Sequence, residues 1–222
     1  MLFYSQANQD KWVYEAISHK KNGFYVDIGA YDGIQTSNTY VFEKYLNWEG
    51  ICIEPNVDAY QNLLKNRNSK NIMCALSDYD GFCNFLGDKI IDKNNANTPC
   101  FTLETLLTQN SAPKEIDYLS IDVEGHEYNI LKNFDFKKYH IKLMTVEHNF
   151  YIEGSHHKDR LYDLLTNNNF IRIVEDAVCL DSNPAYFNKI YEDWYINADF
   201  YNSLTDEMKV KVSIQQKDKT LY

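Results

Sequence analysis

The sequence predicts an α/β fold with a mostly parallel, doubly wound sheet that carries helices on both faces. Apolar segments of strand character alternate along the chain with segments whose apolar residues recur at helical spacing. Strands that alternate with helices pair in parallel through right-handed crossovers. Acidic residues also stand at the strand ends, where such folds bind ligands: Asp27, Glu54, Asp78, Asp122 and Glu147.

Local patterns define the elements in order. Runs of apolar and β-branched residues predict strands at 24–28, 50–55, 72–76, 82–86, 116–123, 142–146 and 170–174, with a last one within 185–204. Apolar residues at helical spacing predict helices before Gly23 and at 37–45, 57–64, 101–107, 130–134 and 160–167. Ser37 or Asn38 is the expected N-cap of the second helix, and Pro55 ends the second strand. The polar stretch 87–99 is expected to be a mobile loop.

Length, composition and charge narrow the class of protein. The 222 residues fit one domain, which we divide into an N-terminal helix (1–22), a core (23–150), C-terminal strands with an aromatic cover (151–204) and a tail (205–222). No apolar run approaches the roughly 18 residues that span a bilayer. The five scattered cysteines and the lack of a signal segment predict a cytoplasmic protein. The net charge of −10 argues against bulk nucleic acid as a partner, because such binding needs a basic surface.

The turn after the first strand indicates the kind of ligand. Gly29 and Gly33 bracket this turn, which brings backbone close to a nucleotide-like ligand. Glu54 ends the next strand, where an acid accepts hydrogen bonds from ribose hydroxyls. Asp32 places negative charge where a pyrophosphate would sit, and Asp27 with Asp32 near the turn suits a cationic ligand instead. The charges therefore favour a cationic, ribose-bearing methyl donor over a dinucleotide, although each residue also suits a plain turn or strand end.

Several motifs, in order, resemble the FkbM-type methyltransferases. They are Tyr25–Gly33, Ser37–Thr39, Trp48–Pro55, Ala75–Asp78 and Ile116–Glu127, and Ser5, Gln6, Gln9 and Asp10 are similar to that family's N-terminal signature. The resemblance covers about residues 4–150. It implies a class I methyltransferase fold, a Rossmann-like three-layer sandwich that binds S-adenosylmethionine and methylates a hydroxyl, often on a sugar or natural product. Tyr31 is a departure, since the family commonly has a small amide there.

The resemblance also implies roles for individual residues. Asp27, Gly29 and Gly33 would surround the methionine part of the donor, Glu54 the ribose, and Ser77 with Asp78 the adenine. The full set of expected cofactor-binding residues is Asp27, Gly29, Ala30, Tyr31, Asp32, Gly33, Asn38, Glu54, Pro55, Ser77, Asp78 and Asp122. The acidic motif from Asp122 to Glu127 would lie beside the transferable methyl group.

Methyl transfer to an alcohol needs a group that takes up the hydroxyl proton. His126 is the preferred base, because imidazole titrates near neutral pH. Asp122 and Glu124 are the next candidates, and Glu147 with His148 forms a second pair at the end of a neighbouring strand. A divalent metal such as Mg²⁺, shared among Asp122, Glu124 and Glu147 or His148, would also activate a hydroxyl. The sequence leaves base and metal open.

The acceptor is expected to be a small molecule or a glycan. A nitrogen or protein acceptor is an alternative, as is a module that binds S-adenosylmethionine or a nucleotide without chemistry. The aromatic residues of 185–204 could stack on a sugar, but a role in the core or in a homodimer interface is the stronger expectation. The sequence does not define the oligomeric state.

Overall fold

A seven-stranded sheet forms the centre of the structure, a computed structural model that describes residues 1–87, 89–92, 96–180 and 183–214. In spatial order its strands are β10 (Phe170–Val178), β11 (Ile190–Asn197), β9 (His140–Glu147), β8 (Glu115–Ile121), β1 (Phe24–Ile28), β2 (Glu49–Ile53) and β3 (Lys70–Ile72). Every neighbouring pair is parallel except those of β11, which is antiparallel to both β9 and β10. The prediction of a mostly parallel sheet is therefore confirmed.

Helices cover both faces of this sheet. One face carries α1 (Gln9–Ala16), α2 (Tyr40–Leu46) and α3 (Val57–Asn66), and the other carries α4 (Leu103–Gln109), α5 (Glu127–Leu131) and α7 (Ser155–Asn167). Successive strand side chains point to opposite faces, so Tyr25 packs in the core below α1 and α2, whereas Val26 and Ile28 pack below α4 and α5. The doubly wound, three-layer arrangement is therefore confirmed.

The described residues contain three further helices, α6 (Phe150–Glu153), α8 (Ala198–Ser203) and α9 (Asp206–Ile214). Among the helices in the described ranges, none combines the length and apolar character needed to cross a bilayer. The division of the chain into the four predicted segments stays a prediction.

A second, small sheet was not predicted. It contains β4 (Ala75–Leu76), β7 (Thr98–Phe101), β5 (Gly81–Leu86) and β6 (Lys89–Asp92), in that spatial order. The strand expected at 72–76 is therefore two strands in two sheets. The prediction of a loop at 87–99 is wrong for residues 89–92, which form β6, and for residues 98–99, which begin β7. Residues 88 and 93–95 lie outside the described residues. The hairpin of β5 and β6 is largely solvent-exposed, so pairing there does not require the apolar alternation that marks buried strands.

Several boundaries differ from the expected ones for local reasons. The N-terminal helix spans only Gln9–Ala16, and the second helix begins at Tyr40 rather than near 37. The hydroxyl of Ser37 accepts hydrogen bonds from the amides of Thr39 and Tyr40, which delays the first helical turn. The helix expected at 101–107 is Leu103–Gln109, because β7 extends to Phe101. The expected tail contains α9, and residues 215–222 lie outside the described residues.

Asp117 ties together the amino ends of the central strands, opposite the edge where the predicted site lies. Its carboxylate accepts hydrogen bonds from the ammonium groups of Lys20 and Lys142 and from the amide of Phe24, at 2.7–3.0 Å. Although burial opposes ionisation, the bonds from Lys142 and Lys20 lower the pKa of Asp117 below its usual value. The charged form of Asp117 therefore stabilises the fold.

We expect Asp117→Asn to lower the free energy of unfolding at pH 7 by about 1–3 kcal/mol, because charge-assisted bonds are lost. A carboxyl whose pKa is lowered by folding stabilises the protein above its unfolded value of about 3.9, and this contribution is lost as the pH falls through the folded value. The gap between wild type and variant should therefore close at low pH. Urea unfolding at pH 7 and pH 3 measures both quantities, and an equal gap at the two pH values would contradict the assignment.

Candidate active site

A cleft of about 440 Å³ opens at the carboxyl ends of β1, β2, β8 and β9. Residues of the small sheet form one of its walls, among them Leu76, Phe85 and Ile90. Eight of the predicted site residues line the cleft: Gly29, Tyr31, Glu54, Pro55, Asp122, Glu124, His126 and Glu147. The strand ends predicted to meet at one edge of the sheet therefore do so around one cavity.

The glycine turn brings β1 and β8 unusually close together. Gly29 has a φ of +86°, and a Cβ atom placed on it would lie 1.8 Å from the carbonyl oxygen of Asp122. The amides of Gly29 and Ala30 both donate to the carbonyl of Ile53. A glycine is therefore required at position 29 for conformation and for space.

Glu54 is held in place by the same turn. Its carboxylate accepts one hydrogen bond from the amide of Tyr31 and one from the amide of Asn56, each at 2.8 Å. Burial raises the pKa of Glu54. Each carboxylate oxygen keeps a further lone pair that a hydroxyl group in the cleft can use. Tyr31 has a φ of +48°, and its half-exposed ring lines the same cleft.

The other predicted site residues lie outside the lining of the cleft: Asp27, Ala30, Asp32, Gly33, Asn38, Ser77, Asp78 and His148. Asp27 points towards α2, where it accepts a 2.5 Å hydrogen bond from the hydroxyl of Thr39, and burial raises its pKa. The amide group of Asn38 donates to the hydroxyl of Ser120. The carboxylate of Asp32 accepts hydrogen bonds from the backbone amides of Ile34 and Gln35. These three side chains thus make contacts inside the protein, and their roles in donor binding stay predictions.

Arg67, which sequence reasoning missed, organises the region behind the glycine turn. Its buried guanidinium donates to Glu43 at 2.8 Å, to the hydroxyl of Tyr25 at 2.7 Å and to the carbonyl of Gly33 at 3.0 Å. A Cβ atom on Gly33 would lie 2.5 Å from the side chain of Arg67. An arginine at the end of an amphipathic helix gives no signal in the sequence of such a buried role.

Three carboxyl groups meet on the other side of the cleft. One carboxylate oxygen from each of Asp122, Glu124 and Glu147 lies within 4.8 Å of the others. Burial, with the negative charges nearby, raises the pKa of Asp122 to about 7 and that of Glu147 well above its usual value. We call these three residues the acid cluster.

His126 lies on the side of the cleft near Ser77. Its Nε2 atom is 2.8 Å from the hydroxyl of Ser77, and that hydroxyl donates a hydrogen bond to the carboxylate of Asp78. Its Nδ1 atom is 3.3 Å from Nδ2 of the side-chain amide of Asn129. Burial lowers the pKa of His126. Lys132 forms a 2.7 Å ion pair with Asp78. The ring is therefore neutral at pH 7, and both of its nitrogens have protein partners.

Glu127, which ends the predicted acidic motif but was given no role of its own, fixes the loop that carries the acid cluster. One of its carboxylate oxygens accepts hydrogen bonds from the backbone amides of Val123 and Gly125, at 3.2 and 3.1 Å. The other oxygen is 2.7 Å from Nε2 of His157. The carboxylate is fully buried. Its position at the start of α5, three residues after Glu124, was a usable signal, because acids in a first helical turn often bind free backbone amides.

His148 belongs to a different group of side chains. Its Nε2 atom is 3.3 Å from Asp193, whose carboxylate also accepts from Arg172 and from the amide of Asp176. Lys158 pairs with Asp176. The structure therefore brings Asp122, Glu124 and Glu147 together and places the side chain of His148 with Asp193 instead.

The aromatic residues of 185–204 divide between two environments. Tyr186 and Tyr191 line the cleft, together with Tyr151 and Lys189. Trp194 and Tyr195, on β11, are buried in the two cores. Part of the aromatic segment is therefore core, and part faces the open space beside the acid cluster.

Comparisons with known proteins agree with this architecture. The family model of the methyltransferase FkbM domain matches residues 88–172. Among solved structures, methyltransferase FkbM from Methylobacillus flagellatus KT is 13% identical with a TM-score of 0.52, covering 79% of this chain and 43% of its own. A candidate O-methyltransferase from Klebsiella pneumoniae is 8% identical with a TM-score of 0.53, covering 86% and 80%. The METTL16 methyltransferase domain is 10% identical with a TM-score of 0.51, covering 85% and 65%.

These similarities define a fold and a resemblance to a family. No curated protein sequence matches the chain. The chain spans less than half of the length of the Methylobacillus protein. At such low identities the solved structures establish the fold, and the family model independently carries the FkbM description. We conclude that the chain has the class I methyltransferase fold and that its resemblance to the FkbM methyltransferase family is confirmed.

Proposed function

We propose that this protein transfers the methyl group of S-adenosylmethionine to a hydroxyl oxygen of a sugar, glycan or small natural product. The observation that carries the proposal is a single cleft with Glu54 at one side and the acid cluster at the other. The first suits the ribose of the donor, and the second suits the acceptor.

The donor side offers contacts for each part of S-adenosylmethionine. The carboxylate of Glu54 has one free lone pair on each oxygen for the two ribose hydroxyls, because its other contacts are the amides of Tyr31 and Asn56. The donor carries a sulfonium and an ammonium group and no phosphate, so acidic walls favour it over a dinucleotide. The resemblance places the adenine beside Ser77 and Asp78. His126 lines the cleft 2.8 Å from the hydroxyl of Ser77, and we propose that its ring contacts the adenine.

On the acceptor side the reaction needs alignment and a proton acceptor. The hydroxyl oxygen forms a bond to the methyl carbon as the carbon–sulfur bond breaks, and that electron pair stays on sulfur in S-adenosylhomocysteine. The hydroxyl proton passes to a carboxylate of the acid cluster. We favour Asp122, Glu124 or Glu147 over His126 for this step, since both ring nitrogens of His126 already have partners.

Two other functions stay open as alternatives. The same donor site could serve a nitrogen or protein acceptor, which an acceptor screen distinguishes. A module that only binds the donor would not need three carboxyl groups opposite Glu54, so the acid cluster favours an enzyme.

Replacing Glu54 with Ala should weaken binding of S-adenosylhomocysteine by about tenfold to a hundredfold, because two hydrogen bonds to a charged group are lost. Calorimetry with S-adenosylmethionine, S-adenosylhomocysteine and NAD measures this. Glu49→Ala is the matched control, since Glu49 is an exposed acid at the opposite end of the same strand. Binding of NAD without either methionine compound would refute the donor. To test the acceptor class, hydroxyl compounds are incubated with the protein and S-adenosylmethionine, and mass spectrometry shows which of them gain a methyl group.

A further inference from the structure

We propose that Asp122, Glu124, Glu147 and Asn149 form a binding site for a divalent, oxygen-preferring cation such as Mg²⁺ or Mn²⁺. The binding itself is independent of methyl transfer, whereas a role for the cation in activating the acceptor rests on the function proposed above.

The spacing of the acid cluster fits such an ion. Its three carboxylates come from the end of β8, the loop that follows it and the end of β9, and their nearest oxygens lie within 4.8 Å of one another. Ligands of Mg²⁺ lie about 2.0–2.1 Å from the ion, so opposite ligands are about 4.2 Å apart and adjacent ones about 2.9 Å apart. Side-chain rotations that bring the three oxygens to these distances would place one ion between them. Carboxylate oxygens are the ligands that Mg²⁺ and Mn²⁺ prefer.

Asn149 supplies an independent observation. Its side chain is 1% exposed, and its Nδ2 atom donates a 3.2 Å hydrogen bond to the carboxylate of Glu124. Its Oδ1 atom is buried and has no hydrogen-bond partner. Leaving a buried carbonyl oxygen unpaired costs about 1–3 kcal/mol. The side-chain amide of Asn149 thus touches the acid cluster through Nδ2, and a rotation of that amide about its Cβ–Cγ bond would turn the unsatisfied Oδ1 towards Glu124. Side-chain amide oxygens ligate hard divalent cations, and coordination would satisfy this one.

The charges around the cluster point the same way. In the described part of the chain, Asp122 and Glu147 form no ion pair with a lysine or an arginine, so no side-chain cation neutralises them. The second group of possible ligands, His148, Asp176 and Asp193, differs because Lys158 and Arg172 already neutralise it. We therefore propose no cation site at that group.

A cation at this position would also take part in catalysis. It would coordinate the acceptor hydroxyl and make its proton more acidic. That proton would pass to a carboxylate oxygen that does not ligate the cation. The acceptor oxygen would then attack the methyl carbon as the carbon–sulfur bond breaks. The cation is unchanged in the step, so no oxidant or reductant is needed.

Titration with Mn²⁺, followed by electron paramagnetic resonance of the free ion, tests the site directly. The full chain is first treated with EDTA and dialysed, and the titration is done with and without S-adenosylhomocysteine. We expect one bound Mn²⁺ that Mg²⁺ displaces. Glu124→Gln and Asn149→Ala should each weaken binding by at least about tenfold. Asp176→Asn, in the neutralised group, is the matched control and should leave the affinity unchanged.

Three results would overturn the proposal: no Mn²⁺ binding by the wild type under either condition, unchanged affinity in folded Glu124→Gln and Asn149→Ala, or loss of binding in Asp176→Asn. Near-UV circular dichroism shows whether the variants are folded, and the wild-type titration decides even if they are not. Methyl transfer that is undiminished in EDTA would refute the catalytic role of the cation. Because donor binding is measured separately by calorimetry, failure of the cation site does not count against the methyltransferase proposal.

Discussion

Replacing Glu127 with Ala should lower turnover by about a hundredfold and the free energy of unfolding by about 2–5 kcal/mol. The stability loss arises because the amides of Val123 and Gly125 and the ring of His157 lose their common buried partner. The loss of turnover arises because these amides fix the loop between Asp122 and Glu127, and a displacement of about 1 Å at a reacting group costs about a hundredfold in rate. Turnover is measured as conversion of S-adenosylmethionine in the presence of an acceptor.

Glu127→Gln separates the two effects. The amide oxygen of Gln can still accept hydrogen bonds from both backbone amides, so we expect most of the turnover to remain. Nδ1 of His157 faces the guanidinium of Arg160, which can only donate, so Nε2 carries a proton and cannot accept a bond from the NH₂ group of Gln. Part of the stability should therefore be lost. Because Glu127 does not line the cleft, its loss should reduce kcat and leave the KM for the donor nearly unchanged. A Glu127→Ala variant that loses stability but keeps kcat would reduce Glu127 to a purely structural residue.

The acid cluster shows what could be predicted from the sequence. Parallel strands place their carboxyl ends at one edge of a sheet, so acids at the ends of β8 and β9 were expected to approach each other, and carboxylate oxygens of Asp122 and Glu147 lie within 4.8 Å of one another. The approach of Gly29 to Asp122 follows from the same geometry, because β1 lies next to β8. These contacts depend on the parallel direction of the strands, which the alternating pattern predicts, and on the strand order, which the structure shows.

Other contacts depend on which face a side chain occupies. Asp27 shares the face of Tyr25, two residues earlier on β1, and therefore points into the helical layer rather than into the cleft. The period-two alternation of a strand predicts this, and position at the strand end alone does not.

Long-range partners set the limit of sequence reasoning. Arg67 bonds residues that precede it by 24 to 42 positions, and Glu127 bonds a histidine 30 positions later. Such partners meet only after the helices have packed on the sheet, and one sequence contains no record of which pairs will meet. The small sheet was missed for a related reason. Its strands are short and partly exposed, so they lack the apolar alternation of buried strands.

Gly29→Ala should lower the free energy of unfolding by about 2–6 kcal/mol and weaken binding of S-adenosylhomocysteine by at least about a hundredfold. Part of the cost is the φ of +86°, which strains any residue other than glycine by about 1–3 kcal/mol. The rest is steric, since the new methyl group would lie 1.8 Å from the carbonyl oxygen of Asp122. That oxygen belongs to the backbone beside β8, so relief requires β1 and β8 to separate at their carboxyl ends, where we place the donor.

Gly154→Ala is the control that isolates the steric part. Gly154 has a φ of +70°, but a Cβ atom on it would meet nothing within 4 Å. We therefore expect it to cost about 1–3 kcal/mol from backbone strain alone and to leave donor binding unchanged. Urea unfolding and calorimetry on both variants separate the effects. Equal destabilisation by the two substitutions would mean that the ends of β1 and β8 can yield without loss. A turn displaced by the new methyl group could no longer hold Tyr31 and Glu54 in position. Intact donor binding in a folded Gly29→Ala variant would therefore contradict our placement of the donor at the glycine turn.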